Sequence, residues 1–263
     1  MAKIALITGA TSGIGEACAN LFAREGYSLI LTGRRLDRLE KLAAHLNKKY
    51  NTEVAVCAFD VRDREQVNVN LDNLPAKWKK VNVLINNAGL SQGLDPIQSG
   101  SIDDWETMID TNIKGLLYVS KMVSKWMVAN GFGHIINLGS LAGKEVYPNG
   151  NVYCATKFAV DALSKGMRAD LLSHGIRVTA IHPGAVETEF SEVRFHGDKE
   201  RAKKTYEGFK PLVADDVAET IWFAASRPAH VNISELIVTP TAQATVTNIF
   251  RSPEVGKSER WNK

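Results

Sequence analysis

A chain of 263 residues is ordinary for one large α/β unit, and its 44% apolar content suffices for a full core. The net charge of +3, from 32 basic and 29 acidic residues, is too small and too scattered to argue for nucleic acid, and no basic run interleaves with aromatics. Cys18, Cys57 and Cys154 are widely spaced, without a CxxC or Cys/His cluster, which argues against a disulfide framework and a metal site and points to reduced thiols.

The strand-like run KIALITG begins at residue 3, so no signal peptide is visible. No apolar run approaches the roughly 20 residues that a membrane helix needs, and a soluble, cytoplasmic protein is expected. The run ends in TGATSGIG, residues 8–15, and a helical pattern follows, EACANLFAREG. Strand, glycine turn and helix in this order point to nucleotide binding. Gly9, Gly13 and Gly15 let the backbone turn tightly and approach a pyrophosphate, whose charge meets the helix N-terminus.

SLILTGRR, residues 28–35, reads as the second strand. Domains that prefer NAD usually carry an acid at its end to hold the ribose hydroxyls. This chain has Gly33, Arg34 and Arg35, and two guanidiniums suit the 2'-phosphate of NADP. The plainer alternative is a solvated basic start to the helix LDRLEKLAAHLNKKY. A third strand, EVAVCAFDV, ends near Asp60, which either meets the adenine amino group or caps a helix starting near Arg62. VNVLINNAGL, residues 81–90, delivers Asn87, Ala88 and Gly89, small enough for a flat ring system to pass.

Residues 104–131 read as a long helix, apolar on more than one face. Asn112 falls inside it as either a satisfied core amide or a local break that holds a water beside Lys157. GHIINLGS is the fifth strand and delivers Ser140, and a helix spanning about residues 152–173 carries Tyr153 and Lys157. Four residues apart, these two share one helix face. A phenol is a poor base at neutral pH, with an ordinary pKa of about 10. An ammonium about 4 Å away, at an effective dielectric of about 20, is worth roughly 4 kcal/mol, which predicts a phenol brought toward neutrality by Lys157. Cys154 points away from Tyr153 and reads as packing.

IRVTAIHPG, residues 176–184, is a sixth strand broken by Pro183 and Gly184. A polar, helix-like segment over residues 185–209 has the character of a part that closes on substrate. ADDVAETIWFAASRP is an amphipathic helix opened by Asp215 or Asp216, and residues 233–240 form the last strand. The tail from Arg251 is polar and expected to be loose. Six or seven β-runs alternating with helices predict one domain over residues 1–250, a Rossmann-type, doubly wound parallel sheet of about seven strands.

TGATSGIG, NNAG, Asn112, Ser140 and YCATK, in this order and spacing, resemble the short-chain dehydrogenase/reductase family over about residues 3–240. The resemblance implies a catalytic tetrad of Asn112, Ser140, Tyr153 and Lys157. It implies NADP held by the turn from Gly9 through Thr11, Ser12, Gly13 and Ile14 to Gly15, by Arg34, Arg35, Asp60 and Val61, by Asn87, Ala88 and Gly89, and by Pro183, Gly184, Val186 and Thr188. It also implies a homotetramer, with the helices near residues 104 and 152 as candidate interfaces. NLGSLAGKEVYPNGNVYCATK, TEFSEVRFHGD and RPAHVNI are similar to the NADP-dependent 3-hydroxy acid dehydrogenases, which oxidise serine, allo-threonine and related acids. In that group a Gly-Gly precedes TEF, whereas this chain reads PGAVETEF. Arg194 then becomes the candidate for a substrate carboxylate, with Ser140 and Tyr153 at the reacting oxygen. The plainer reading of Arg194 is an ion pair with Glu189 or Glu192. Reduction of another carbonyl (a 3-oxoacyl thioester, a sugar or a ring ketone) is the alternative reaction, and a non-catalytic NADP-sensing module the alternative class.

Overall fold

The computed structural model describes residues 2–252. Its strands are β1 (Ile4–Ile7), β2 (Ser28–Gly33), β3 (Val54–Ala58), β4 (Val81–Asn86), β5 (His134–Leu138), β6 (Arg177–Pro183) and β7 (Glu235–Val238). The helices are α1 (Gly13–Arg24), α2 (Leu36–Tyr50), α3 (Arg64–Asp72), α4 (Ile102–Ile109), α5 (Leu116–Asn130), α6 (Asn151–Asp170), α7 (Phe190–Arg194), α8 (Lys199–Lys204) and α9 (Ala214–Ala225). The strands form one sheet in the order β3-β2-β1-β4-β5-β6-β7, every pairing parallel. The order reverses between β1 and β4, which opens a crevice at the carboxyl ends of the strands.

Period-two alternation divides each of the strands β1 to β6 between two cores, while the edge strand β7 is at most half-buried. Ala5, Ile7, Leu29, Leu31 and Ile85 pack with α1, α2 and α9 on one face. Leu6, Ile30, Leu84 and Ile135 pack with α3 and α5 on the other. Burying one such side chain contributes about 1.5–3 kcal/mol. Both faces of the sheet are therefore covered, which explains why its strands read as continuous apolar runs.

Several boundaries differ from the sequence reading. The long helix contains a π-helical turn, Asp110–Gly115, between α4 and α5, where Gly115 presses against Val61 so closely that a Cβ there would sit 2.8 Å from Val61 Cγ2. Asp60 does not cap α3. Asp63 does, accepting from Glu65 N at 2.9 Å and Gln66 N at 3.0 Å, while Asp60 is taken by Arg62. Helix α9 opens at Val213, and Asp216 acts from inside the first turn, accepting from Val213 N at 2.8 Å. The start of the predicted tail is tied down: Arg251 donates to the Thr205 and Glu207 carbonyls and lies over Phe209, and Ser252 N donates to Gly208 O at 2.7 Å. The remainder of that tail lies outside the described residues. No helix among the described residues is long and apolar enough to cross a membrane.

Candidate active site

A cavity of about 500 Å³ opens at the carboxyl edge of the sheet, within the usual range for ligand sites. Of the glycine turn it is lined by Gly9, Thr11, Ser12, Gly13 and Ile14; beyond it come Arg34, Arg35, Asp60, Val61, Asn87, Ala88 and Gly89. Ser140, Tyr153, Lys157, Pro183, Gly184, Val186, Thr188 and Arg194 complete the predicted set on its wall. Gly15 and Asn112 stand behind that wall. A Cβ on Gly15 would lie 2.2 Å from Gly9 O, so the third glycine serves the close approach of α1 to the turn.

Asn87 is committed to the same turn. Its Nδ2 donates to Thr8 O at 2.9 Å and Gly9 O at 3.1 Å, and the Asn87 and Ala88 amides donate to Thr8 Oγ1. The β4 loop is thereby locked to the glycine loop across the switch point. At the end of β2, Arg35 donates to Thr11 Oγ1 at 2.7 Å and Ser12 Oγ at 2.9 Å, and to Glu189 Oε2 at 3.2 Å. Arg38, one turn along α2, holds Glu189 Oε1 at 3.0 Å. Burial works against the charge on Glu189, but hydrogen bonds from Arg38 and Arg35 hold its carboxyl below the usual range. Arg34 is 4.0 Å from Asp60. Burial also opposes the charge on Asp60, and Arg62 outweighs it, keeping that carboxyl low.

The chemical centre is built by β5 and α6. The extended backbone at Ser140 ends the strand, and its Oγ accepts from Ala142 N at 3.1 Å, opening a short 3-10 turn, Leu141–Gly143. Tyr153 and Lys157 share one face of α6, as their spacing predicts, and both are buried. Lys157 Nζ donates to Leu138 O at 2.9 Å and lies 5.9 Å from the centre of the Tyr153 ring. Burial pulls the Lys157 ammonium down to about 8.

The expected acidified phenol is corrected by this geometry. Burial pushes Tyr153 well above the usual phenol range; Arg194 and a hydrogen bond with Ser140 lower it without overcoming that. Lys157 is turned to a backbone carbonyl, and the nearer cation is Arg194, 5.2 Å from the ring centre. Asn112 is the satisfied buried amide of the plainer sequence reading. Its Oδ1 accepts from Leu90 N at 2.9 Å, and its Nδ2 donates to Leu90 O at 2.8 Å and Thr156 Oγ1 at 3.0 Å. The local break exists as the π turn, while the side chain ties that turn to the β4 loop and α6.

Arg194 makes neither predicted ion pair. It ends α7, donates from Nε to Ser91 Oγ at 3.1 Å and from Nη2 to Tyr147 Oη at 2.9 Å, and stacks against Tyr147, Tyr153 and Phe190. Cys154 is packed with Met108, Ala142 and Tyr153, as its reading as core requires. Sequence reasoning missed Tyr147, Ser91 and Arg38, and it offered Glu189 to Arg194 where Arg35 and Arg38 hold it. Arg38 had a signal, since it follows Arg35 by three residues on a helix. Tyr147 and Ser91 had none, because only the folded loops bring them to Arg194.

The short chain dehydrogenase family matches residues 3–199. The chain belongs to that family. This short-chain dehydrogenase is 46% identical over 242 residues to the NADP-dependent 3-hydroxy acid dehydrogenase of Escherichia coli K12, covering 92% of this chain and 96% of that one. It is 47% identical over 245 residues to sulfoacetaldehyde reductase 2 of Chromohalobacter salexigens, covering 93% and 96%. Its fold superposes on the closed form of serine dehydrogenase complexed with NADP+ with a TM-score of 0.88 at 44% identity, covering 95% of this chain and all of the other.

Proposed function

We propose that this oxidoreductase transfers a hydride between NADP and C3 of a small 3-hydroxy acid such as serine, allo-threonine or 3-hydroxyisobutyrate. The observation that carries this reading is Arg194. Its guanidinium has no acidic partner among the described residues, is oriented by Ser91 and Tyr147, and stacks on the ring of Tyr153. A fork of donors beside the phenol suits a carboxylate a short distance from the reacting hydroxyl.

The choice of NADP rests on the arginines at the end of β2 and on relatives named for that cofactor. The Glu189 carboxylate held by Arg35 and Arg38 supports the fit, because these guanidiniums already bind an anion at the rim of the cavity. When bound, NADP supplies the hydride acceptor and NADPH the donor. In oxidation Tyr153, as phenolate, takes the proton of the C3 hydroxyl, and in reduction it returns that proton. Ser140 Oγ holds the same substrate oxygen, where charge develops. Lys157, 5.9 Å from the centre of the phenol ring, would hold the ribose. Asn112 contributes through the π turn it fastens beside Gly89 and Lys157.

Rates with NADP and serine, allo-threonine, 3-hydroxyisobutyrate and 3-hydroxybutyrate test the assignment; absence of turnover with every one of them rejects it. A second reading is supported by the relative named as a sulfoacetaldehyde reductase. The Arg194 fork suits a sulfonate as well, and a kcat/KM for sulfoacetaldehyde with NADPH far above that for the 3-oxo acids would favour it. For assembly we take the homotetramer that the family resemblance implies, supported by the exposed apolar Ile109 and Leu117 along the α4–α5 helix and Phe158 on α6. A monomeric mass by light scattering would exclude it.

A further inference from the structure

Behind Ser140 lies a polar cluster, centred on buried His182 and Asp161, that the proposed chemistry does not use. His182, on β6, is fully buried, and its Nδ1 lies 3.2 Å from the Ser140 carbonyl oxygen. That oxygen is an acceptor, so the nitrogen facing it carries the ring's proton. The other nitrogen, Nε2, has no hydrogen-bond partner and faces Asp161 Oδ1 at 3.7 Å. Burial and the Lys144 ammonium hold the imidazole neutral, below its usual pKa. Lys144 pairs with Asp161 at 3.0 Å and with Glu235 of β7 at 2.7 Å, so an ammonium already fills the cation position of this cluster.

The backbone ladder between β5 and β6 also ends at this junction. Gly139 N donates to Ile181 O at 2.7 Å, which carries the β5–β6 ladder one residue past the strand. The next donor in register would run from residue 183 to Gly139 O, but Pro183 has no N–H, so the ladder stops beside Ser140. Gly139 lets the ring lie flat on this junction, since a Cβ there would be 2.4 Å from His182 Nδ1. On the other side, Tyr153, Lys157 and Asp161 form one stripe of α6 and meet the Ser140 segment at Ser140, Leu138 and Lys144 in turn.

We infer that His182 is a positioning residue for Ser140: its Nδ1–H holds the Ser140 carbonyl just beyond the end of the β5–β6 ladder, and the Lys144–Asp161–Glu235 clamp keeps the surrounding strands and helix in register. Ser140 Oγ is thereby kept facing the substrate oxygen. This inference rests on the role given to Ser140 under the proposed function.

The test is a double-mutant cycle between His182→Leu and Ser140→Ala, with His182→Asn as the conservative variant whose amide nitrogen can replace Nδ1. His182→Leu is expected to lower kcat about tenfold in the native background and less than about twofold in the Ser140→Ala background, because the two changes act through one contact. His182→Asn should recover kcat to within about threefold of the native value, and the dissociation constant for NADPH should stay within about twofold throughout. Hydrogen exchange of the peptide spanning residues 138–145 should quicken in His182→Leu and return toward native in His182→Asn. Equal penalties in both backgrounds, or a native kcat in His182→Leu, overturn the inference. If the unaltered protein turns over no alcohol or carbonyl, the functional reading fails instead, and unchanged exchange in His182→Leu still overturns the tether.

Discussion

Arg194 lies with its guanidinium 5.2 Å from the centre of the Tyr153 ring, nearer than the lysine one turn along the tyrosine's own helix. One cation can thus lower the phenol's pKa and meet a substrate anion. Arg194→Leu is expected to cut kcat/KM for a hydroxy acid by about 10- to 100-fold, the loss of a charged hydrogen bond worth about 1.5–3 kcal/mol. An uncharged ketone of similar size should lose much less. Equal losses for both substrates, measured by steady-state kinetics, would remove Arg194 from anion recognition.

The raised phenol fixes the sign of the pH dependence. Tyr153 keeps its proton at neutral pH, which suits carbonyl reduction, whereas oxidation requires the phenolate. The kcat/KM for alcohol oxidation should therefore climb about tenfold per pH unit across the neutral range, while that for reduction stays level. Tyr153→Phe should abolish both. A flat oxidation profile would show that another group takes the proton.

Glu189 and the 2'-phosphate of NADP would draw on the same guanidiniums, Arg35 and Arg38. These are exposed pairs, each worth at most about 1 kcal/mol. Glu189→Gln is expected to tighten NADP binding by about threefold and to leave NAD binding unchanged. Arg35→Leu should weaken NADP by about tenfold or more and reduce its salt dependence. Fluorescence titration of the reduced cofactors at two ionic strengths checks both.

Two buried histidines should make the fold sensitive to acid. His134 donates from Nε2 to Thr179 Oγ1, whose own proton goes to Ile233 O, and its Nδ1 has no partner. Burial, with Arg177 nearby, pulls His134 down to about 3, and His182 is lowered as well. Below an unfolded pKa of about 6.5 the unfolded chain binds protons that the folded one refuses. His134 therefore removes up to roughly 1.4 kcal/mol of stability per pH unit as pH falls from about 6.5 to 3. His134→Gln should flatten that slope in urea unfolding curves between pH 6.5 and 4.5; an unchanged slope would locate the acid sensitivity elsewhere.

What the chain order determined by itself was everything that depends on local pattern. Apolar runs such as KIALITG and GHIINLG report burial on both faces of a sheet, and β-rich runs place all seven strands, including the half-buried edge strand β7. The glycine turn and the Tyr153–Lys157 pair are legible because their chemistry needs fixed short spacings. Caps were less legible: α3 starts at Arg64 rather than near Arg62, so Asp63 caps it and Asp60 pairs with Arg62 instead. Tertiary structure alone decided which groups meet across long separations. Arg194 reaches Ser91 and Tyr147, Glu189 reaches Arg35, and His182 reaches Ser140, because the parallel sheet gathers the carboxyl ends of distant strands at one edge. The same gathering set the ionisation of Tyr153. A partner four residues away is visible in a sequence, but the desolvation that raises the phenol, and the Arg194 charge that partly opposes it, come from side chains that only folding assembles.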